Sequence, residues 1–183
     1  MCFFTDVVYH EASFLAVNGD GVVIGVELGD DATATFRRIG KEKVGEEMNE
    51  ERQKRRRRRR RWPYLASVGE DLCVVMRYMK KVAAGGGYRT IDFDVYFYDP
   101  GVEEWEHFPG CLDYTLFVGL GESLAIPAAA TGWTPNCIYF SDVDRPPRAG
   151  EGDMGMYYFQ DGYLEPHFVR HGAFGIWHLP TFT

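Results

Sequence analysis

Apolar positions in this chain fall into short runs, several of them alternating with polar positions, and turn residues separate the runs. Phe3–Tyr9 and Ser13–Val17 lead into Asn18-Gly19-Asp20-Gly21, a hairpin signal, and Val22–Leu28 and Thr33–Ile39 complete a first group of about four predicted strands. Tyr64–Val68, Leu72–Met79, Thr90–Asp99 and Glu104–Phe108 form a second group, with a loose Gly85-Gly86-Gly87 loop inside it. Thr115–Val118, Ser123–Ala128, Cys137–Ser141 and Met154–Phe159 form a third, after which Asp161-Gly162 turns into Tyr163–Val169 and the chain ends near Trp177. In Thr90–Asp99, Ile91, Phe93, Val95 and Phe97 share one parity, while Thr90, Asp92, Asp94, Tyr96 and Tyr98 share the other. Side chains alternate across a strand, so this pattern predicts an apolar row on one face and packing against a layer on that side only.

The groups resemble one another. VVIGVELGDDATATF, FDVYFYDPGVEEW and MGMYYFQDGYLEP each read as a strand followed by an acid-bearing turn, at Asp30-Asp31, Asp99-Pro100-Gly101 and Asp161-Gly162. Phe36 and Trp105 follow their turns at a similar distance. Asp30 to Asp99 spans 69 residues, or 48 once the 21 residues of Lys41–Arg61 are set aside, and Asp99 to Asp161 spans 62. Periods of roughly 40–50 residues with about four strands each are those of kelch or WD propeller blades. An antiparallel sandwich is the competing reading, since its strands are equally short. The expected fold is therefore all-β: antiparallel four-stranded blades in a partial, about three-blade, kelch-like β-propeller. A partial blade is expected over residues 1–40, a charged insertion over 41–61 and the remaining blades over 62–183.

The insertion changes the picture of charge. KEKVGEEMNEERQKRRRRRRR has two strong apolar residues, Val44 and Met48, and is expected to bury no face. Glu50–Lys54 and Glu51–Arg55 have the acid-first i,i+4 spacing of a solvated helix, but Gly45 and the self-repelling arginines weaken it, so a charged helical or disordered excursion is expected. The chain of 183 residues has net charge −7, yet nine of its 20 Lys and Arg lie between Arg52 and Arg61. The rest keeps 11 basic residues (20 less 9) against 25 acidic (27 less Glu50 and Glu51), and such a body is a poor general ligand for nucleic acid. The run Lys54, Arg55, Arg56, Arg57, Arg58, Arg59, Arg60, Arg61 is the one candidate for a nuclear-import or nucleic-acid contact, against the plain reading of a solvated loop expansion. No aromatic inside it could stack on bases.

Aromatics reach 15%, which suits strands joined by tight turns. Cys2, Cys73, Cys111 and Cys137 form no CxxC pair, so no zinc ribbon is indicated, and Cys73 and Cys137 in apolar runs read as buried reduced thiols. The start MCFFTDVVYH lacks the pattern of a signal peptide, and no run of 18 apolar residues occurs. An intracellular location, cytoplasm or nucleus, is expected, with no membrane association. His167 and His171 have HxxxH spacing, but Pro166, Gly172 and Gly175 argue against a helix, and on a strand they would stand about 13 Å apart, too far for one ion. Asp142-Val-Asp144 starts like a calcium loop and fails at Pro146 and Pro147. Gly119-Leu-Gly121 and Gly85–Gly87 lack the remainder of a phosphate-binding motif, and Ser123 is in no nucleophile elbow. No catalytic residue, metal or cofactor is indicated.

Several ordered motifs resemble a large plant family, the KIB-type β-propeller long known as an F-box-associated domain of unknown function. Tyr64-Leu65-Ala66-Ser67 with Gly69-Glu70-Asp71-Leu72-Cys73-Val74-Val75-Met76-Arg77-Tyr78 carries the first motif, and Phe93, Val95, Tyr96, Asp99 and Trp105 the next. Leu112, Asp113, Leu116, Phe117, Val118, Gly119 and Ser123 follow, then Asn136–Asp142, Asp153–Gly162 and Trp177–Pro180. Val7–His10, Phe14–Val17 and Gly21–Val23 resemble the preceding blade. The Arg-rich insertion is foreign to the pattern, no F-box segment is seen, and Met1 falls where the family has a mid-propeller blade.

The resemblance implies a non-catalytic protein-interaction module like the substrate-recognition propeller of F-box ubiquitin-ligase adaptors, here not expected to bind the ligase adaptor itself. Its partner is an unknown protein, a second copy, or a full-length family member held through an open blade face; nucleic acid is disfavoured. The alternatives are a nuclear or nucleic-acid-associated protein acting through the Arg-rich run, and a non-functional gene fragment.

Overall fold

A computed structural model describes residues 3–29, 33–45, 59–82, 87–108, 112–141, 153–166 and 176–177. Strands β1 (Phe4–His10), β2 (Ser13–Asn18), β3 (Val23–Leu28) and β4 (Ala34–Ile39) form an antiparallel meander in chain order. The expected hairpin after β2 is present: the Asn18 side chain accepts from the Asp20 and Val22 amides, and Gly21 takes φ +81°. A second antiparallel meander follows, with β5 (Arg60–Val68), β6 (Asp71–Lys81), β7 (Tyr88–Asp99) and β8 (Glu104–Phe108). β5 starts four residues earlier than the apolar pattern indicated. Pro63 interrupts that pattern but sits on the edge strand, where its missing N–H breaks no ladder.

The third sheet departs from the expected four antiparallel strands. Its order is β11 (Leu124–Pro127), β9 (Tyr114–Val118), β12 (Cys137–Phe140), β13 (Gly155–Tyr158), β14 (Tyr163–Pro166). β11 folds back on one edge of β9, and the short helix α1 (Ala128–Thr131) then carries the chain across to the other edge. β12 arrives there running parallel to β9, because the crossover reverses direction a second time. β10 (Leu120–Gly121) pairs with β15 (Ile176–Trp177) in a separate parallel two-stranded sheet.

The three large sheets stack face to face, and the middle one has no solvent face. Leu65, Leu72, Val74, Met76, Tyr78, Tyr96 and Trp105 pack against Val8, Leu15, Val17, Val23, Ile39 and Val44 of the first unit. Residues of the opposite face, among them Tyr64, Ala66, Val75 and Val95, pack against Leu116, Val118, Ile138, Phe140 and Tyr157 of the third. This corrects the one-sided reading of β7: Phe93 and Val95 face the third sheet, while Tyr96 and partly buried Tyr98 face the first. Tyrosine counts as polar in an alternation, yet its ring is buried readily once the hydroxyl has a partner, and Tyr96 donates to Asp94 Oδ2 at 3.2 Å. Ile91, the unpaired residue of a bulge opposite Tyr78 and Met79, also turns to the first sheet.

Val44 corrects a second expectation. It is buried in the core between the first and second sheets, and its amide donates to Gly21 O at 3.0 Å. One valine suffices where the chain passes an existing apolar seam. Just before it, Gly40 takes φ +83° against the Trp105 indole, which donates to Ile39 O at 3.4 Å. A Cβ at Gly40 would collide with the indole ring. Replacing Gly40 by Ala should therefore cost about 2–4 kcal/mol, from left-handed backbone plus the displaced ring. Gly19→Ala, which meets nothing within 4 Å, should cost under about 0.5 kcal/mol. Urea denaturation of both variants checks the contrast.

Candidate functional site

Two buried polar clusters fix how the sheets meet. Asp6 on β1 accepts from the Leu65 amide on β5 at 3.0 Å and from Ser123 Oγ, just before β11, at 2.6 Å. The innermost strands of all three sheets therefore converge on one carboxylate. Its other oxygen accepts from the Val7 amide at 2.8 Å. Burial pushes the Asp6 carboxyl above its ordinary range, and the three hydrogen bonds only partly offset that.

Arg77 on β6 forms the second cluster and is fully buried. Nε donates to Thr90 Oγ1 at 2.6 Å. One terminal nitrogen donates to the Tyr64 hydroxyl at 3.0 Å and to Ser141 O at 2.6 Å. The other donates to Asp153 O at 3.0 Å and Asp153 Oδ2 at 2.9 Å. Asp153 Oδ2 also accepts from the Thr90 amide and hydroxyl, and the guanidinium lies 4.8 Å over the Phe140 ring. Interaction with Tyr64 and Asp153 raises the Arg77 pKa against its desolvation.

Arg77, opposite Trp62 near the start of β5, lies toward one rim, and a groove opens at the other. The turn between β5 and β6, the turn between β7 and β8 and the approach to β9 border an open groove of about 830 Å³. Carboxylates of Glu70, Asp71, Asp99, Glu106 and Asp113 line it, between the rings of Phe97, Tyr98, Phe108 and Tyr114. Among its described lining residues there is no lysine or arginine. His107, also in the lining, lies 3.2 Å from Asp94 Oδ1. Asp99 also caps its own turn, accepting from the Gly101 amide at 2.7 Å. A smaller cavity of about 130 Å³ continues between the first and second sheets and shares Glu70, Asp71, Tyr98 and Pro100 with the groove.

The described end of the basic run, Arg59–Arg61, is at the other end of the strands. Lys54–Arg58 lie outside the described residues. Arg60 and Arg61 open β5, eight residues and about 26 Å along the strand from Val68, where the groove starts. Arg59 approaches Asp92 to 4.0 Å, and the Arg60 guanidinium lies over the rings of Trp62 at 5.3 Å and Tyr88 at 4.7 Å. The described end of the run thus contacts this chain's own side chains. His167, His171, Asp142 and Asp144 lie outside the described residues, among which no His, Cys, Asp or Glu group could hold a metal ion. Cys73 and Cys137 are free and buried as expected, and burial pushes the Cys73 thiol up to about 12. No described helix is long and apolar enough to cross a membrane.

Two four-stranded meanders and a five-stranded sheet stacked face to face, inner strands converging and turns gathered on two rims, define a β-propeller architecture, whose described sheets are not closed into a ring. The chain belongs to the KIB1-4 β-propeller family, whose model matches residues 2–158. No curated protein and no solved structure matches it.

The groove acids were not read as a site from the sequence: Asp99 was named as a turn residue, and Glu70, Asp71 and Asp113 as motif residues. Glu70 lies 29 residues before Asp99, and Glu106 and Asp113 follow at seven-residue intervals, so no local motif marks the set and the folding of the strands brings it together. Arg77 had a readable signal, a lone guanidinium inside the apolar run VVMRYM. Removing one partner of its ion pair strands the other in the core, so Asp153→Ala should destabilise by about 3–5 kcal/mol, measured by urea unfolding. Asp6 sets a pH dependence. With its folded pKa raised above 3.8, the group favours the fold below that value and loses this contribution as pH climbs through the raised pKa. The stability difference between wild type and Asp6→Asn should therefore shift against wild type on going from pH 4 to 7, by up to about 1.4 kcal/mol per pH unit.

Proposed function

We propose that this chain is a non-catalytic protein-interaction domain that presents its acidic rim groove to a partner bearing a basic segment. The role is that of a substrate-recognition propeller, as in F-box ubiquitin-ligase adaptors. The observation carrying this reading is the groove itself: five carboxylates interleaved with four aromatic rings, on the turns and strand ends of one rim. Rim turns on a rigid scaffold are where propellers place recognition. Aromatic walls take the aliphatic stems of lysine and arginine, and carboxylates take their charged ends. A thiol chemistry has less support, because burial raises both Cys73, to about 12, and Cys137, to about 11. A nucleic-acid role through Lys54–Arg61 also has less support, since Arg59 and Arg60 are engaged within the chain. The free thiols of Cys73 and Cys137 favour a reducing compartment, cytoplasm or nucleus.

Selection from a random peptide library on the folded chain tests the proposal. Bound peptides should be enriched in lysine and arginine, and Glu70→Lys with Glu106→Lys should weaken the best of them at least tenfold at unchanged circular dichroism. Selection of neutral or acidic peptides, or indifference to the double substitution, would count against the groove as the binding site.

A further inference from the structure

The chain carries both halves of the contact that its groove is suited to make. Nine of the ten residues from Arg52 to Arg61 are basic. The groove sets the carboxylates of Glu70, Asp71, Asp99, Glu106 and Asp113 among aromatic rings, with Phe97 and Phe108 edge to face at 5.2 Å. The described end of the run shows what these arginines bind. Arg59 lies 4.0 Å from the Asp92 carboxylate, and the Arg60 guanidinium lies over the rings of Trp62 and Tyr88. Carboxylate and ring side by side are also what the groove offers, and both attract a guanidinium.

Chain length decides whose groove the rest of the run enters. Arg60 opens β5, and Val68, just before the Glu70–Asp71 turn of the groove, is about 26 Å along that strand. Going back from Arg59, Arg55 is four residues away, and four extended residues span at most about 14 Å. Arg56–Arg58 are nearer still to Arg59. Arg55–Arg58 therefore cannot reach the carboxylates of Glu70 and Asp71 in their own chain. The described end of the run and the groove lie at opposite ends of the strands. Two copies side by side with their strands antiparallel bring each run level with the other copy's groove. The contact is then made twice about a two-fold axis, which closes the assembly at two chains.

We propose that Arg55–Arg58 of one copy of this chain dock in the acidic groove of a second copy, and reciprocally, in an antiparallel two-fold dimer. The carboxylates of the groove take the guanidinium groups, and the rings of Phe97, Tyr98, Phe108 and Tyr114 take the aliphatic stems. The proposal rests on the reading of the groove as a site for a basic segment and names the source of that segment.

Light scattering on the full chain at low salt should give twice the 20.9 kDa chain mass, and a rise in salt from about 0.05 M to about 0.5 M should weaken the dimer at least tenfold. Changing Arg55, Arg56, Arg57 and Arg58 together to Glu should weaken it at least tenfold at unchanged circular dichroism. Glu70→Lys with Glu106→Lys should do the same. Mixed in equal amounts, the two variants should form a heterodimer tighter than either homodimer, because the intact run of one meets the intact groove of the other. A monomeric wild type, an open polymer that grows with concentration, a dimer indifferent to either set of substitutions, or failure of the mixture to pair would each overturn the proposal. Lysine- and arginine-rich library peptides separate its failure from that of the reading beneath it. If they bind the groove of a monomeric wild type, the self-contact falls and the basic-segment reading stands; if they do not bind, both fall.

Discussion

A guanidinium shut away from water must place five N–H donors, and Arg77 places them on acceptors from two sheets. Thr90 and Tyr64 belong to its own sheet, while Ser141 and Asp153 flank β12 and β13 of the third. The requirement is directional, unlike the surrounding apolar packing, so it sets the distance and register between the sheets. Apolar contacts among Val75, Phe93, Leu116 and Ile138 then fill a gap whose width is already decided. Among the described residues no buried side-chain nitrogen or oxygen lacks a partner, which is what lets so polar a group sit in a core.

Burying both faces of the second sheet explains which parts of the fold were legible in the sequence. Strand positions were, because turn residues such as Asn18-Gly19-Asp20-Gly21 and Asp161-Gly162 punctuate the apolar runs. Facing was less so. β7 looked half-polar only because Tyr96 and Tyr98 hide large apolar rings behind a hydroxyl. The order of the third sheet was hidden too, since nothing local distinguishes a return along β9 from a crossover through α1 to its far edge. β5 took in Arg60 and Arg61 because backbone pairing with Met79 and Tyr78 continues past the point where side-chain pattern stops. The rim groove was least legible: its acids come from turns, whose neighbours in space are set by blade stacking rather than by spacing along the chain.

The stack is electrically polarised along its strands. The turns after β5 and β7 gather carboxylates at one rim, while β5 begins at the other with the described end of the arginine run. Such separation is stable because neither group has to cross the apolar seams. It also means that a charged partner meets the two rims as opposite surfaces.

The carboxylate of Asp6 has a consequence for cooperativity. Layers that touch only their neighbours behave as a one-dimensional chain of units, and the terminal layers can fray while the middle stays intact. Asp6 bonds the second sheet and also reaches Ser123 at the start of the third sheet's inner strand. Loss of the first sheet therefore strips a partner from both others, so the three layers are coupled to open together, as one unit rather than in sequence from an end.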